Sequence, residues 1–162
     1  VVCAKLGMDF CACGPKEQMP SDELVAQCRE VAKESGATIT LTEDVDEGAA
    51  GASVIYTDIW VSMGESSDLW AKRIELLSKY QVNAELMAKA ADDAIFMHCL
   101  PSFHDRNTTI GEDIFQKFGL PELEVTDEVF ESERSRVLDE AENRMHSIKA
   151  VMYATLRDPE SE

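Results

Sequence analysis

Four short apolar runs constrain how this chain folds: Met8 to Cys13, Thr38 to Leu41, Ser53 to Asp58 and Ala94 to Met97. Each has the length and the β-branched, aromatic or sulfur-bearing content of a buried strand, and the first is stopped by Gly14-Pro15. Helical signals lie between them. Ser21 offers an N-cap for a helix through Ser35 with Gly36 at its stop, and Leu24, Val25, Cys28, Val31 and Ala32 form its inner face. Asp44 to Ala50 reads as a short helix, Asp68 to Tyr80 as a longer one with apolar spacing at Leu69, Ile74 and Leu76-Leu77, and Ala84 to Ala91 as another. Strands that alternate with helices at this spacing predict an α/β domain, a parallel sheet with helices on both faces.

Beyond the fourth strand, Pro101 to Gly119 is polar and loop-like, with a short helix at Asp113 to Phe118, and Asp127 to Glu131 is a turn. A last helix runs from Asp139 to about Leu156, with Met145, Ile148, Val151, Met152 and Thr155 as an apolar stripe. The 162 residues suit one domain. With 32 acidic and 15 basic residues the net charge is -17, which repels nucleic acid and anionic membrane surfaces. No stretch approaches the ~20 apolar residues of a membrane span, and no leader pattern is present. Five cysteines, an odd number, read as reduced thiols of a cytoplasmic protein rather than a disulfide framework. Val1 to Gly7 lacks an initiator Met and reads as the second half of a helix closed by Gly7, as in a piece of a longer chain.

Two of the strands end in chemistry. Phe96-Met97 runs into His98-Cys99-Leu100-Pro101, and Val54-Ile55-Tyr56-Thr57 runs into Asp58, followed by Ile59-Trp60-Val61-Ser62-Met63-Gly64. Parallel sheets carry ligands outside the carboxyl ends of their strands, so both motifs fall on one pocket edge. Asp58 and Ser62 suit an ammonium and the amides near Met63-Gly64 suit a carboxylate, a receptor for an amino acid; equally, Asp58 and Ser62 could cap the next segment. Cys99 is open to three roles: nucleophile, metal ligand, or polar contact near a reacting amine. His98 reads as a satisfied core histidine, Cys11-x-Cys13 as packing rather than a zinc site, and Arg144 as a solvated residue early in the last helix. No internal repeat or metal-spaced cluster is evident.

Thr57 to Gly64, His98-Cys99-Leu100-Pro101 and Asp139-Glu140-Ala141-Glu142-Asn143-Arg144 resemble the signature blocks of the ornithine carbamoyltransferase family, in that order. The likeness runs from Val1 to Leu156 and includes Gly14-Pro15-Lys16-Glu17 and Glu124 to Phe130. It implies a Rossmann-like α/β domain, residues 1–162, that binds ornithine as the C-terminal half of a two-domain enzyme. The carbamoyl-phosphate domain, with its serine-threonine-arginine-threonine-arginine motif, is not represented, nor is the asparagine-rich turn that precedes this region.

Residue by residue, the resemblance implies that Asp58 and Ser62 hold the α-ammonium of ornithine and that the Met63 amide helps bind its carboxylate. Cys99, with Asp58, stands near the δ-amine, and the carbonyls of Cys99 and Leu100 accept from the carbamoyl amino group. Arg144 points to the carbamoyl oxygen, where it stabilises developing negative charge. A cis Leu100-Pro101 bond, no metal or organic cofactor, and a parent enzyme built from trimers are also implied. Aspartate and putrescine carbamoyltransferases depart from this pattern at Cys99 or at Ser62-Met63-Gly64. The remaining alternative is an amino-acid-binding or assembly module without turnover, and the domain alone is expected to be inactive. Val61 to Asp68 is expected to act as a lid.

Overall fold

The computed structural model describes residues 1–62 and 67–156. The chain opens with α1 (Val2–Leu6), closed by Gly7 in the left-handed conformation at φ 72°. Strand β1 (Phe10–Cys13) leads to α2 (Asp22–Ser35), whose Ser21 hydroxyl accepts from the Leu24 amide, and Gly36, at φ 82°, ends it as expected. Strand β2 (Ile39–Thr42) follows, then α3 (Val45–Ala49), capped by Asp44, whose Oδ1 accepts from Asp46 and Glu47. Strand β3 (Val54–Thr57) is followed by α4 (Trp70–Leu77), with a single 3-10 turn on each side of it.

Helix α5 (Ala84–Met87), capped by Asn83, precedes β4 (Ile95–His98). Then come α6 (Thr109–Phe118), α7 (Asp127–Phe130) and α8 (Val137–Leu156). Three helix boundaries differ from expectation. The segment after Ala84 stays helical for one turn only, α6 begins four residues early at its Thr108 cap, and α8 begins at Val137 because that residue is buried and anchors the first turn.

The fold is mixed α/β with parallel strands. β1 pairs with β2, Phe10 opposite Ile39, and β3 pairs with β4, Val54 opposite Ile95. Among the described residues the two pairs form separate ladders. Sequence reading missed a third run beside β4: the Phe96 amide donates to the Arg134 carbonyl and the Arg136 amide to the Phe96 carbonyl, a parallel bridge at Ser135. A second such bridge joins Val82 to Val125.

Apolar burial divides in three, a small cluster of Ala4, Cys28 and Ala32 between α1 and α2 and two larger ones. Phe96, Val125, Val129, Val137, Val82 and Ala94 centre one of the larger clusters, and Trp60, Trp70, Phe103, Ile114 and Leu123 the other. The chain after β4 bridges them, since Leu100 packs on the first and Phe103 sits in the second, edge-on to Trp70 at 5.8 Å. Three side chains expected inside are outside. Leu24 is exposed because the buried stripe of α2 is Val25, Cys28 and Ala32, to which Leu24 is one step out of phase. Cys11 and Cys13 do not pack in a core; both are exposed, and Cys13 Sγ donates to the Asp44 carbonyl at 3.6 Å. All five cysteines are free thiols. The stripe of α8 is exposed along Met145, Ile148, Val151 and Met152, and no helix among the described residues is long and apolar enough to cross a membrane.

Candidate active site

Parallel register puts Thr57 opposite His98, so the chain leaves β3 and β4 side by side and the next residue on each is Asp58 and Cys99. Cys99 Sγ donates to Asp58 Oδ1 at 3.1 Å, and the same oxygen accepts from the Ile59 amide at 2.7 Å. Partial burial of the sulfur, then the hydrogen bond to Asp58 and the Asp58 charge, push the Cys99 thiol up to about 11, with Glu140 adding to the effect. At neutral pH the group is therefore a protonated donor rather than a nucleophilic thiolate.

A second pair flanks the first. Tyr56 shares a strand face with Asp58, and its hydroxyl donates to Glu140 Oε1 at 2.7 Å. Burial, then the hydrogen bond and charge of Glu140, with Cys99 contributing, hold the phenol well above its ordinary range. The other oxygen of Glu140 is buried and has no partner among the described residues. This contact moors the start of α8 to β3. Arg144 lies four residues after Glu140 on the same helix face, with an exposed side chain. Ser62 is exposed just beyond the buried Trp60 and Val61. Met63 and Gly64, and with them half of the expected lid, residues 63–66, lie outside the described residues.

The turn after β4 is held from below. His98 is a core residue, 1% exposed, and its Nδ1 accepts from the Leu100 amide at 3.0 Å. Leu100 has φ +50°, and the Leu100-Pro101 peptide is cis. Glu124, fully buried, accepts from the Phe103 amide at 2.6 Å and the Ser102 hydroxyl at 3.1 Å through Oε1. That oxygen stands 3.3 Å from His98 Nε2, at ion-pairing distance but not aligned as a hydrogen bond.

The structure thus joins Asp58 directly to Cys99, seats Leu100 beside them, and brings the helix carrying Arg144 to the same edge through Glu140. Tyr56, Glu124 and Glu140 were missed as site residues. A signal existed for Glu124, an acidic residue flanked directly by Leu123 and Val125, and for Tyr56, two residues before Asp58 on one strand face. The fold also gathers His104, Asp127 and Glu131, with ligand atoms within 4.8 Å of one another, which linear spacing does not reveal. His104 Nδ1 there pairs with Asp127 at 2.8 Å and its ring stacks on Phe130.

Residues 1–155 match the family model described as aspartate/ornithine carbamoyltransferase, Asp/Orn binding domain. The chain is 60% identical over 156 residues to a catabolic ornithine carbamoyltransferase of Treponema denticola, covering 96% of this chain and 46% of that protein. It is 56% identical over 154 residues to an ornithine carbamoyltransferase of Staphylococcus aureus, covering 94% and 46%. Among solved structures, ornithine carbamoyltransferase from Pyrococcus furiosus superposes with a TM-score of 0.76 at 35% identity, over 93% of this chain and 42% of that one. The chain spans less than half the length of the relatives it matches.

Proposed function

This chain belongs to the aspartate/ornithine carbamoyltransferase family, matching its Asp/Orn-binding domain, and on that premise we propose that residues 1–162 form the ornithine-binding domain of an enzyme that carbamoylates L-ornithine. The δ-amine attacks the carbonyl carbon of carbamoyl phosphate, the bond from that carbon to the phosphate oxygen breaks, and the amine proton is lost, giving L-citrulline and phosphate. Asp58 and Ser62 receive the α-ammonium, and the Met63 amide receives the carboxylate. The carbonyls of Cys99 and Leu100 accept from the carbamoyl amino group. Arg144 faces the carbamoyl oxygen and stabilises the charge that develops on it.

The observation that carries this reading is the 3.1 Å contact from Cys99 to Asp58 across the two strand ends. Partial burial, with that contact, keeps the thiol protonated and so disfavours a covalent carbamoyl enzyme at neutral pH. The thiol's part is to fix the carboxylate and present a soft donor where an amine must be oriented and deprotonated. No metal or organic cofactor takes part. Carbamoyl phosphate is bound by the remainder of a longer chain, so the isolated domain is inactive, and the parent enzyme is a cytoplasmic homotrimer or a multiple of trimers. The exposed stripe of α8 and the five free thiols are consistent with those assignments.

The test is citrulline formation by the longer chain, with aspartate and putrescine as competing acceptors, beside an amide-shift titration of each. We expect turnover with ornithine alone and shifts clustered at Asp58 to Gly64 and His98 to Pro101. Carbamoylation of aspartate or putrescine in preference to ornithine, or of none of the three, would overturn the reading.

A further inference from the structure

We infer that His98 and Glu124 are positioning residues that set the backbone of the turn Cys99-Leu100-Pro101, and through it the two carbonyls that face the substrate. The inference rests on the proposed function, because those carbonyls matter only if the reaction is carbamoyl transfer.

Leu100 adopts φ +50°, a left-handed backbone that a residue with a branched side chain rarely takes unless its surroundings hold it there. Its amide donates to His98 Nδ1 at 3.0 Å. A ring nitrogen that accepts a hydrogen bond carries no proton, so the imidazole hydrogen resides on Nε2. Nε2 faces Glu124 Oε1 at 3.3 Å, where a carboxylate favours a hydrogen on that nitrogen. The same oxygen accepts from the Phe103 amide at 2.6 Å and the Ser102 hydroxyl at 3.1 Å. Glu124 therefore holds the chain after Pro101 directly, through the Phe103 amide and the Ser102 hydroxyl, while the same oxygen stands 3.3 Å from the imidazole before Cys99 without an aligned hydrogen bond.

Neither side chain reaches solvent, so neither touches a substrate at the pocket edge. An ionisable pair placed beside Leu123 and Val125, both essentially fully buried, carries a desolvation penalty that apolar side chains would avoid. A further indication is that Glu124 Oε2 is buried without a hydrogen-bond partner among the described residues, so the position is not optimised for the carboxylate itself. What the pair secures is the course of the chain between two apolar clusters, at the point where Cys99 and Leu100 emerge.

The experiment divides the imidazole into its two nitrogens, in the longer enzyme that carries this domain. His98→Asn keeps an acceptor near the Nδ1 position, whereas His98→Gln keeps a polar atom near Nε2 and leaves the Leu100 amide without an acceptor. We expect H98N to retain kcat with ornithine within about threefold, and H98Q to lose about 100-fold in kcat with little change in KM for ornithine, the size of effect a misplaced reacting group produces. Glu124→Gln, which keeps an oxygen for Phe103 and removes the charge, should lower kcat about tenfold, as loss of a histidine's orienting partner commonly does. Nitrogen-15 spectra of the imidazole should show the neutral Nε2–H tautomer in the wild type.

Equal losses in H98N and H98Q that track thermal stability would overturn the inference, as would an Nδ1–H tautomer or an imidazolium in the wild type at neutral pH. A wild-type enzyme that makes no citrulline overturns the functional reading, and the inference with it. The tautomer is read without turnover, so the two failures are told apart.

Discussion

The thiol of Cys99 donates to Asp58 across a sequence separation of 41 residues, at 3.1 Å, because two parallel four-residue strands end in register. The contact has a pH signature. Partial burial and Asp58 raise the thiol from an ordinary value of 9.0 to about 11. Alkylation of Cys99 by iodoacetamide, followed by peptide mapping, should therefore be slow at pH 8 and accelerate toward about pH 11. Asp58→Asn removes the second-largest cause and should speed modification at pH 8 several-fold. The folded thiol holds its proton more tightly than the unfolded one, so this stability is fully present below about pH 9 and lost as pH rises toward about 11. Cys99→Ser should flatten the stability profile across that window.

Phe96 and Leu24 are both apolar and both read as interior from sequence, yet their fates differ. Phe96 has no exposed surface, while Leu24 is 41% exposed. Phe96→Ala should destabilise the domain by about 3–5 kcal/mol through lost transfer energy and the cavity left behind. Leu24→Ala should stay within about 0.5 kcal/mol, the usual range for a surface substitution. Denaturant midpoints of the two variants make the comparison, and similar losses would mean that Leu24 is covered in solution.

Much of the site was legible because it sits where strands stop. An apolar run that ends in Asp58, or in His98-Cys99-Leu100-Pro101, carries its own boundary, and the caps Ser21 and Gly36 carried theirs. What escaped depends on three-dimensional neighbours. Leu24 failed because a helix stripe read without its partner can be rotated by one residue. Glu124 failed because its partners, His98 and Phe103, are 26 and 21 residues away in sequence and meet it only after the chain has turned beneath β4. Glu140 lies in the first turn of α8, where an acid already suits the helix dipole, and its hydrogen bond to Tyr56 spans a separation of 84 residues. The run at 134–136 is too short and too polar to announce itself as a strand, and it becomes one only beside Phe96.

Gly111 is the glycine where added bulk has least room among those next to the site loop. A Cβ there would meet the Asp105 carbonyl oxygen at 2.5 Å and the Thr108 hydroxyl at 3.0 Å. The first is backbone and the second is the cap of α6, so neither yields without moving the loop from Ser102 to Thr108. Gly111→Ala should cost about 1–3 kcal/mol, despite the better helix propensity of alanine. Thermal unfolding checks it, and a gain in stability would show that the loop is free to shift.

The Tyr56 hydroxyl ties β3 to α8 through Glu140, and beyond Val137 the helix has few other anchors, since its residues from Ala141 to Leu156 are exposed. Tyr56→Phe leaves the Glu140 carboxylate half-buried, with one oxygen newly deprived and the other already unpartnered. Tyr56 is an exposed residue, so water can reach the freed oxygen and the loss is that of one net hydrogen bond, about 0.5–1.5 kcal/mol, whereas replacing both partners by apolar groups comes close to neutral. Tyr56→Phe should therefore destabilise the domain by that amount, and the double substitution Tyr56→Phe with Glu140→Leu should recover most of it. Hydrogen exchange should quicken in the first turns of α8 in the single variant, because the helix loses its tie to the sheet. Arg144 lies one turn past Glu140, so in the longer enzyme the same substitution should lower kcat more than it raises KM for ornithine, the mark of a group needed chiefly in the transition state. Unchanged exchange across residues 137–145 together with unchanged kcat would mean that α8 is held to the sheet by Val137 and its backbone alone.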